Sequence, residues 1–292
     1  MKFDKTILII GDTGMLGSEL TNFLKLKQVK VFGCSRNSTS KTLDILDFNK
    51  TIDYLDDVNP DILINCAAEI NLDLCESNLN YALKINSLVV QNMAFWCKKK
   101  KKKLVQISTD QFFKKKKNKE TDFIYFYNNY GLSKYLGECF AKEAPKSLIL
   151  RTSIIGPGTK ESSFVDWVIE SIKKNSNMTL FDDYYNSSID IYSFCEYLLL
   201  LLKKNAEGIF NISSSQIFSK KEIIEEFENQ LNLKIKNKSI KSAETLLTKR
   251  CLNCGLDNSK VENFLNVKMP NMKRIVKNII KNYKKNTQLI NN

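Results

Sequence analysis

An apolar run, Thr6-Ile7-Leu8-Ile9-Ile10, leads directly into Gly11-Asp12-Thr13-Gly14-Met15-Leu16-Gly17 and then into a helical pattern from Ser18 to Leu26. A run without polar alternation suits a strand buried on both faces, as in a parallel sheet covered by helices. Three glycines at every third position allow a tight turn and a close approach to the backbone. They stand at the start of a helix, whose N-terminus attracts a pyrophosphate. A glycine triplet alone is weak evidence, but one set between a first strand and a first helix narrows the fold to a few α/β architectures.

The alternation continues. A second strand, Val29 to Cys34, ends in Ser35-Arg36, and a short third strand is expected to end near Leu43 and deliver Asp44 and Ile45. A helix over Thr51 to Val58 and Pro60 precede a fourth strand, Asp61 to Cys66, which ends in Ala67-Ala68. Small residues there leave room for a flat ligand. Apolar positions at helical spacing (Leu79, Leu83, Ile85, Leu88, Val89, Met93, Trp96) predict one long helix from about Cys75 to Lys98. The fifth strand is Lys103 to Ser108 and the sixth Ser147 to Thr152.

This order predicts an α/β fold, a Rossmann-type doubly wound parallel sheet, with residues 1–155 as an NAD(P)-binding domain. Ligands gather at the carboxyl ends of such strands, where Gly11, Ser35, Ala67, Thr109 and Ser153 all fall. An acidic residue after the second strand would accept from a ribose 2′-hydroxyl and repel a 2′-phosphate. Arg36 stands there instead and can clamp that phosphate, so NADPH is favoured, with NADH as the alternative.

Beyond Gly156-Pro157-Gly158 the pattern is irregular. Helices are expected at Phe164 to Lys174, Ile189 to Lys203, Lys220 to Leu231, Asn258 to Leu265 and Asn271 to Tyr283, with short strands at Met178 to Phe181 and Gly208 to Ile212. Residues 156–286 lack a glycine fingerprint and read as a smaller α/β substrate-binding lobe whose segments cross back to the first. Residues 287–292 read as a frayed tail.

Composition narrows the chemistry. The 292 residues contain no histidine, which removes Ser-His-Asp and Cys-His catalysis and histidine-ligated metals. The eight cysteines are scattered, and Cys251-x-x-Cys254 has neither a second pair nor a histidine to complete a zinc site. No cluster argues for a divalent metal. The longest apolar run, Tyr197 to Leu202, is too short to cross a bilayer and no secretory signal is visible, so a soluble cytoplasmic protein is expected. A net charge of +13 invites a nucleic-acid reading. Much of the excess lies in Lys98 to Lys103 and Lys114 to Lys117. Lysine runs without interleaved arginines or aromatics suit solvated turns, so nucleic acid is not the expected partner. Of the two runs, only the second leaves a strand from its carboxyl end, where it could steer an anionic substrate.

Tyr130-x-x-x-Lys134 opens a helix about twenty residues after the hydroxyls of Ser108 and Thr109. Residues four apart share a helix face, so an ammonium beside the phenol is expected to lower its pKa. Taken alone, Tyr-x-x-x-Lys often occurs by chance, and the alternative is an ordinary amphipathic pair.

Together these motifs resemble the extended short-chain dehydrogenase/reductases, and among them the dTDP-4-dehydrorhamnose reductase family. The resemblance rests on Gly11 to Gly17, Pro60 to Ala68, Ile107-Ser108-Thr109-Asp110, Tyr130-Gly131-Leu132-Ser133-Lys134 with Gly137-Glu138, Arg151-Thr152-Ser153, and Gly255 to Lys260. It implies a catalytic set of Thr109, Tyr130 and Lys134. It also implies that backbone at Gly14, Met15 and Leu16 holds the cofactor pyrophosphate, with Gly11, Thr13 and Gly17 also cofactor-binding, that Asp44 and Ile45 flank the adenine, and that Ala67 and Ala68 line it. Lys134 would bond the nicotinamide ribose, and Asp110 and Ser153, with Thr109, would touch a nucleotide-sugar substrate. The implied reaction is reduction of the C4 carbonyl of a nucleotide-linked 4-keto-6-deoxy sugar. The family also holds epimerases, bifunctional epimerase/reductases and a non-catalytic NADP-binding regulatory subunit, and pairing as a homodimer is open.

Three segments depart from the family pattern. Asp110-Gln111-Phe112-Phe113-Lys114-Lys115 lacks the usual glycine, Ile154 replaces an aromatic, and Arg250-Cys251 replaces Arg-Pro. All three bear on the substrate more than on hydride chemistry.

Overall fold

The structure, a computed structural model, describes residues 3–159 and 163–290, with side chains to residue 283. The chain divides into two compact units. The first comprises Met1–Phe112, Phe126–Arg151 and Leu198–Phe210; the second comprises Phe113–Tyr125, Thr152–Tyr197 and Asn211–Asn292.

The first unit is built on the expected parallel sheet. Strands β1 (Ile7–Ile10), β2 (Val31–Cys34), β3 (Ile62–Asn65), β4 (Lys103–Ile107) and β5 (Leu148–Arg151) pair in parallel in the order β5-β4-β3-β1-β2. Every residue of β1, β3 and β5 is buried, as expected for strands covered on both faces. The register sets Ile10 beside both Cys34 and Asn65, and Asn65 beside Gln106, so the carboxyl ends are level. A sixth strand, Gly208–Asn211, pairs with β5 at the edge. It follows the helix Ile191–Lys203, so a late segment of the chain extends the sheet.

Helix α1 (Met15–Leu26) buries Leu16, Leu20 and Leu24, one stripe at i, i+4, i+8. Its closeness to β1 explains two glycines. Gly11 adopts φ +84°, and a side chain at Gly17 would overlap the Gly11 carbonyl oxygen.

Two sequence expectations need correction. The third strand near Leu43 is only an isolated bridge, Ser35 to Thr42, with the Leu43 amide donating to the Ser35 carbonyl at 2.9 Å. Three polar residues, Ser38 to Ser40, precede it, and too little apolar sequence follows to enter the sheet. The single long helix from Cys75 is instead Leu72–Ser77, Leu79–Leu83, a π-turn Lys84–Leu88, and Val89–Lys100. The Asn78 side chain accepts from the Tyr81 amide and so starts a new helix. The π-turn carries buried Asn86, whose amide group donates to the Glu69 carbonyl and the Ser133 hydroxyl, both at 3.0 Å. Apolar periodicity continues across both breaks, which is why it did not reveal them.

The second unit packs the helices Phe164–Lys174, Lys220–Leu231 and Met272–Ile290 around a core that includes Val168, Ile172, Ile224, Phe227, Ile275 and Ile279. Its strands are short pairs, including Met178–Leu180 with Lys238–Ile240 and Ile154–Ile155 with Ile189–Asp190. The last helix extends to Ile290, and residues 291–292 lie outside the described residues.

Candidate active site

The carboxyl ends of β1, β2 and β3 enclose a cavity of about 210 Å³ in the first unit. Nine expected cofactor residues line it: Gly11, Thr13, Gly14, Ser35, Arg36, Asp44, Ile45, Ala67 and Ala68. Gly14 caps α1 with no side-chain hydrogen bond, so the helix N-terminus keeps its orphan amides for an anion. Met15, Leu16 and Gly17 do not line the cavity; they contribute as the first turn of that helix. Thr13 and Ser35 hydroxyls share a hydrogen bond at 2.8 Å, tying the glycine turn to the end of β2. Arg36 is exposed beside them, and Asp44 accepts from the Leu46 amide at 3.0 Å. A glycine cradle at a helix N-terminus, with a guanidinium at its rim and small residues behind, fits a dinucleotide.

The same cavity is lined by Asn37, Leu43, Cys66, Glu69, Tyr81 and Ile85, which the sequence reading did not select. Tyr81 and Ile85 stand four apart and carried a usable signal, since they share one helix face. That face could not be oriented toward the cavity without knowing of the helix restart and the π-turn. Among the described residues no group of three or more Cys, Asp or Glu is placed to hold a metal ion.

Thr109, Tyr130 and Lys134 come together beyond β4, outside the lining of that cavity. The helix Asn129–Ala141 begins at Asn128, whose side chain accepts from the Gly131 amide at 2.8 Å. This cap fixes Tyr130 and Lys134 in its first two turns. Thr109 is buried, and its hydroxyl accepts from the Gln111 amide at 3.2 Å while favouring the ionised form of the Tyr130 phenol. Asp110 is buried too, and accepts from the Gln111 side chain at 3.0 Å.

The electrostatics differ from the sequence expectation. Burial raises the Tyr130 phenol above its ordinary pKa, Thr109 opposes that rise, and Asp110 adds to it. Lys134 supplies no relief. Its ammonium is engaged with the Ile107 carbonyl at 2.7 Å, and burial pushes its own pKa down to about 8, against the pull of Glu138. The phenol therefore stays protonated at neutral pH, the form that can donate.

Beneath this set lies a buried ion pair. Arg151 Nε and Nη2 donate to the two Glu138 carboxylate oxygens at 2.9 and 2.7 Å, and the Ser108 hydroxyl donates to the same carboxylate at 2.5 Å. The Arg151 guanidinium also stacks over the Phe112 ring at 5.1 Å. The network ties β4, β5 and the Tyr130 helix together. Ser153 belongs to the second unit, where it shares a hydrogen bond with Ser188 at 3.0 Å.

The sequence matches the family described as RmlD substrate binding domain over residues 5–285. The chain belongs to that family. It is 30% identical over 218 residues to the spore coat polysaccharide biosynthesis protein SpsK of Bacillus subtilis, covering 73% of this chain and 75% of that protein. It is 28% identical over 219 residues to the dTDP-4-dehydrorhamnose reductase of Escherichia coli K12, covering 72% of each. The fold matches that of the Bacillus anthracis dTDP-4-dehydrorhamnose reductase solved in complex with NADP, with a TM-score of 0.87, 24% identity, and coverage of 96% of this chain and 100% of that one. The family read from the motifs is thus borne out, and the chain is an NAD(P)-dependent oxidoreductase. No helix among the described residues is long and apolar enough to cross a membrane.

Proposed function

We propose that this RmlD-family chain reduces the C4 carbonyl of a nucleotide-linked 4-keto-6-deoxy sugar with NADPH as reductant. The observation that carries the reading is the set of buried Thr109 and Lys134 with half-buried Tyr130, in the same unit as a dinucleotide cradle. The name of the Escherichia coli relative supports the substrate class, and Arg36 at the end of β2 supports the phosphorylated dinucleotide.

In this proposal Gly11, Thr13 and Gly14 receive the pyrophosphate with the first turn of α1, Ser35 and Arg36 receive the 2′-phosphate, and Asp44 and Ile45 flank the adenine. Bound there, NADPH would supply the hydride. Tyr130 gives the proton on its phenol oxygen to the carbonyl oxygen as alkoxide character develops. Thr109 hydrogen-bonds the same oxygen and then steadies the phenolate left on Tyr130. Lys134 contributes a positive charge that burial has made weakly held, and Asp110 contacts the sugar.

The test is turnover. Purified protein with NADPH and a panel of dTDP- and UDP-4-keto-6-deoxy sugars should consume the reduced nicotinamide and yield the 4-hydroxy sugar. Tight NADPH binding with no consumption across the panel would sink the reductase reading in favour of a binding or regulatory role. Interconversion of 4-epimers without net oxidation of NADPH would favour an epimerase.

A further inference from the structure

The opposite end of the same sheet carries a larger concavity, about 570 Å³, which the proposed reaction does not use. It is lined from five separate strand starts. Lys5 precedes β1, Asp61 precedes β3, Lys103 opens β4, Lys146 precedes β5, and Asn205 and Glu207 precede the edge strand. With Lys100, Lys101 and Lys102, six lysines there face two carboxylates. The lysine run is therefore only part of the cluster, because Lys5 and Lys146 arrive from distant sequence.

Three features set these lysines apart from a solvated charged face. First, among the described residues eight non-glycine residues have positive φ; five are asparagines, which tolerate that region well, and two are Lys101 (φ 55°) and Lys146 (φ 57°). Both of those lysines line this cavity, so the residue type is not the one the backbone prefers. Second, Lys103 is buried, and its ammonium donates to the Ala206 carbonyl at 2.6 Å, leaving two N–H donors over. Burial pushes its pKa down to about 8; Lys5 and Lys146 push the same way and Glu207 opposes them. The cavity thus holds an unneutralised positive field. Third, Lys100 and Lys102 have acidic partners in Asp56 and Asp61, and Lys5 has Asn205, but no described contact engages the ammonium groups of Lys101 or Lys146.

We propose that this amino-terminal cavity binds a compact oligophosphate, either free or as the phosphate tail of a nucleotide. The concave shape and the absence of aromatic or arginine residues from its lining disfavour a stacked nucleic-acid strand. Tetrahedral phosphate groups can take hydrogen bonds from several ammonium groups at once, with the spare donors of Lys103 at the base.

The test is calorimetric titration of the intact protein with tripolyphosphate and with ATP at 0.15 M salt, a level that screens weak surface attraction. The wild type, Lys101→Gln/Lys146→Gln and Arg36→Gln are compared, with melting temperature as the check on folding. Saturable tripolyphosphate binding, weakened about tenfold or more in the double variant and unchanged in Arg36→Gln, is the expected result. ATP binding about tenfold tighter than tripolyphosphate would identify a nucleotide ligand, whereas equal or weaker binding would assign the site to phosphate alone. No saturable binding overturns the proposal. So does binding that the double variant leaves intact and Arg36→Gln abolishes, which would place the anion in the cofactor cavity. Retention of single-stranded RNA without tripolyphosphate binding overturns it too.

Discussion

At the carboxyl end of the first unit's sheet, the groups offered to a ligand are largely backbone amides, hydroxyls and small residues, with one exposed guanidinium and one buried ammonium. At the amino end, six lysines line one open cavity. The helix dipoles account for part of the contrast. Helix N-termini meet the carboxyl ends of strands and supply positive potential without charged side chains, whereas helix C-termini, which are negative, crowd the amino ends. Lys98, Lys99 and Lys100 in the last turn of Val89–Lys100 match that negative pole. Lys5 and Lys146 lie outside any helix, so dipole compensation does not explain them. An α/β sheet can therefore attract anions at both ends, by oriented backbone at one and by added side chains at the other.

Substitutions can break this comparison, and the largest effect belongs to the carboxyl end. Tyr130→Phe should lower turnover by about 10²–10⁴-fold while leaving NADPH binding intact, measured by steady-state kinetics and cofactor titration. Lys101→Gln/Lys146→Gln should leave turnover unchanged; if it falls as far as in Tyr130→Phe, the two ends are not separate sites.

Next in size is the ion pair that supports the catalytic helix. Glu138→Gln leaves Arg151 buried with an uncompensated charge and should cost about 3–5 kcal/mol in urea unfolding. By contrast, Lys98→Ala removes an exposed pair with Glu143 and should change stability by no more than about 0.5 kcal/mol.

Two smaller effects sharpen the carboxyl end. Lys134 is charged below its folded pKa of about 8 and loses that charge as pH rises through it, so turnover should decline on the alkaline side of about 8. A rate flat to pH 10 would show that the ammonium charge is not needed. Arg36→Gln should weaken NADPH about tenfold, or roughly 1.4 kcal/mol, with little change for NADH, read from the ratio of their dissociation constants.

The two lysine runs also ended differently from one another. Lys115 pairs with Asp122 at 2.8 Å and Lys117 with Asp257 at 3.6 Å, while Lys114 and Lys116 lie over the rings of Tyr125 and Tyr185. The run expected to steer substrate thus has its ammonium groups engaged within its own unit. The run read as a plain turn contributes to the cavity.

By itself the sequence determined the parallel sheet, the glycine turn and the Tyr130-Lys134 helix. Each of these depends on local signals: an unbroken apolar run, residues that permit a tight turn, and spacing on one helix face. The second half was legible for the same reason, since Phe164–Lys174 and Lys220–Leu231 have the expected bounds and begin at serine caps. Tertiary structure alone decided what depends on contacts between distant segments. It set Gly208–Asn211 at the edge of the sheet, restarted the helix at Asn78 and placed a π-turn at Lys84–Leu88, and brought Lys5 and Lys146 beside Lys103. It also reversed the expected influence on Tyr130. Spacing puts Lys134 on the same face, but its ammonium donates to the Ile107 carbonyl and burial governs the phenol, and neither burial nor a carbonyl's position can be read from residues four apart.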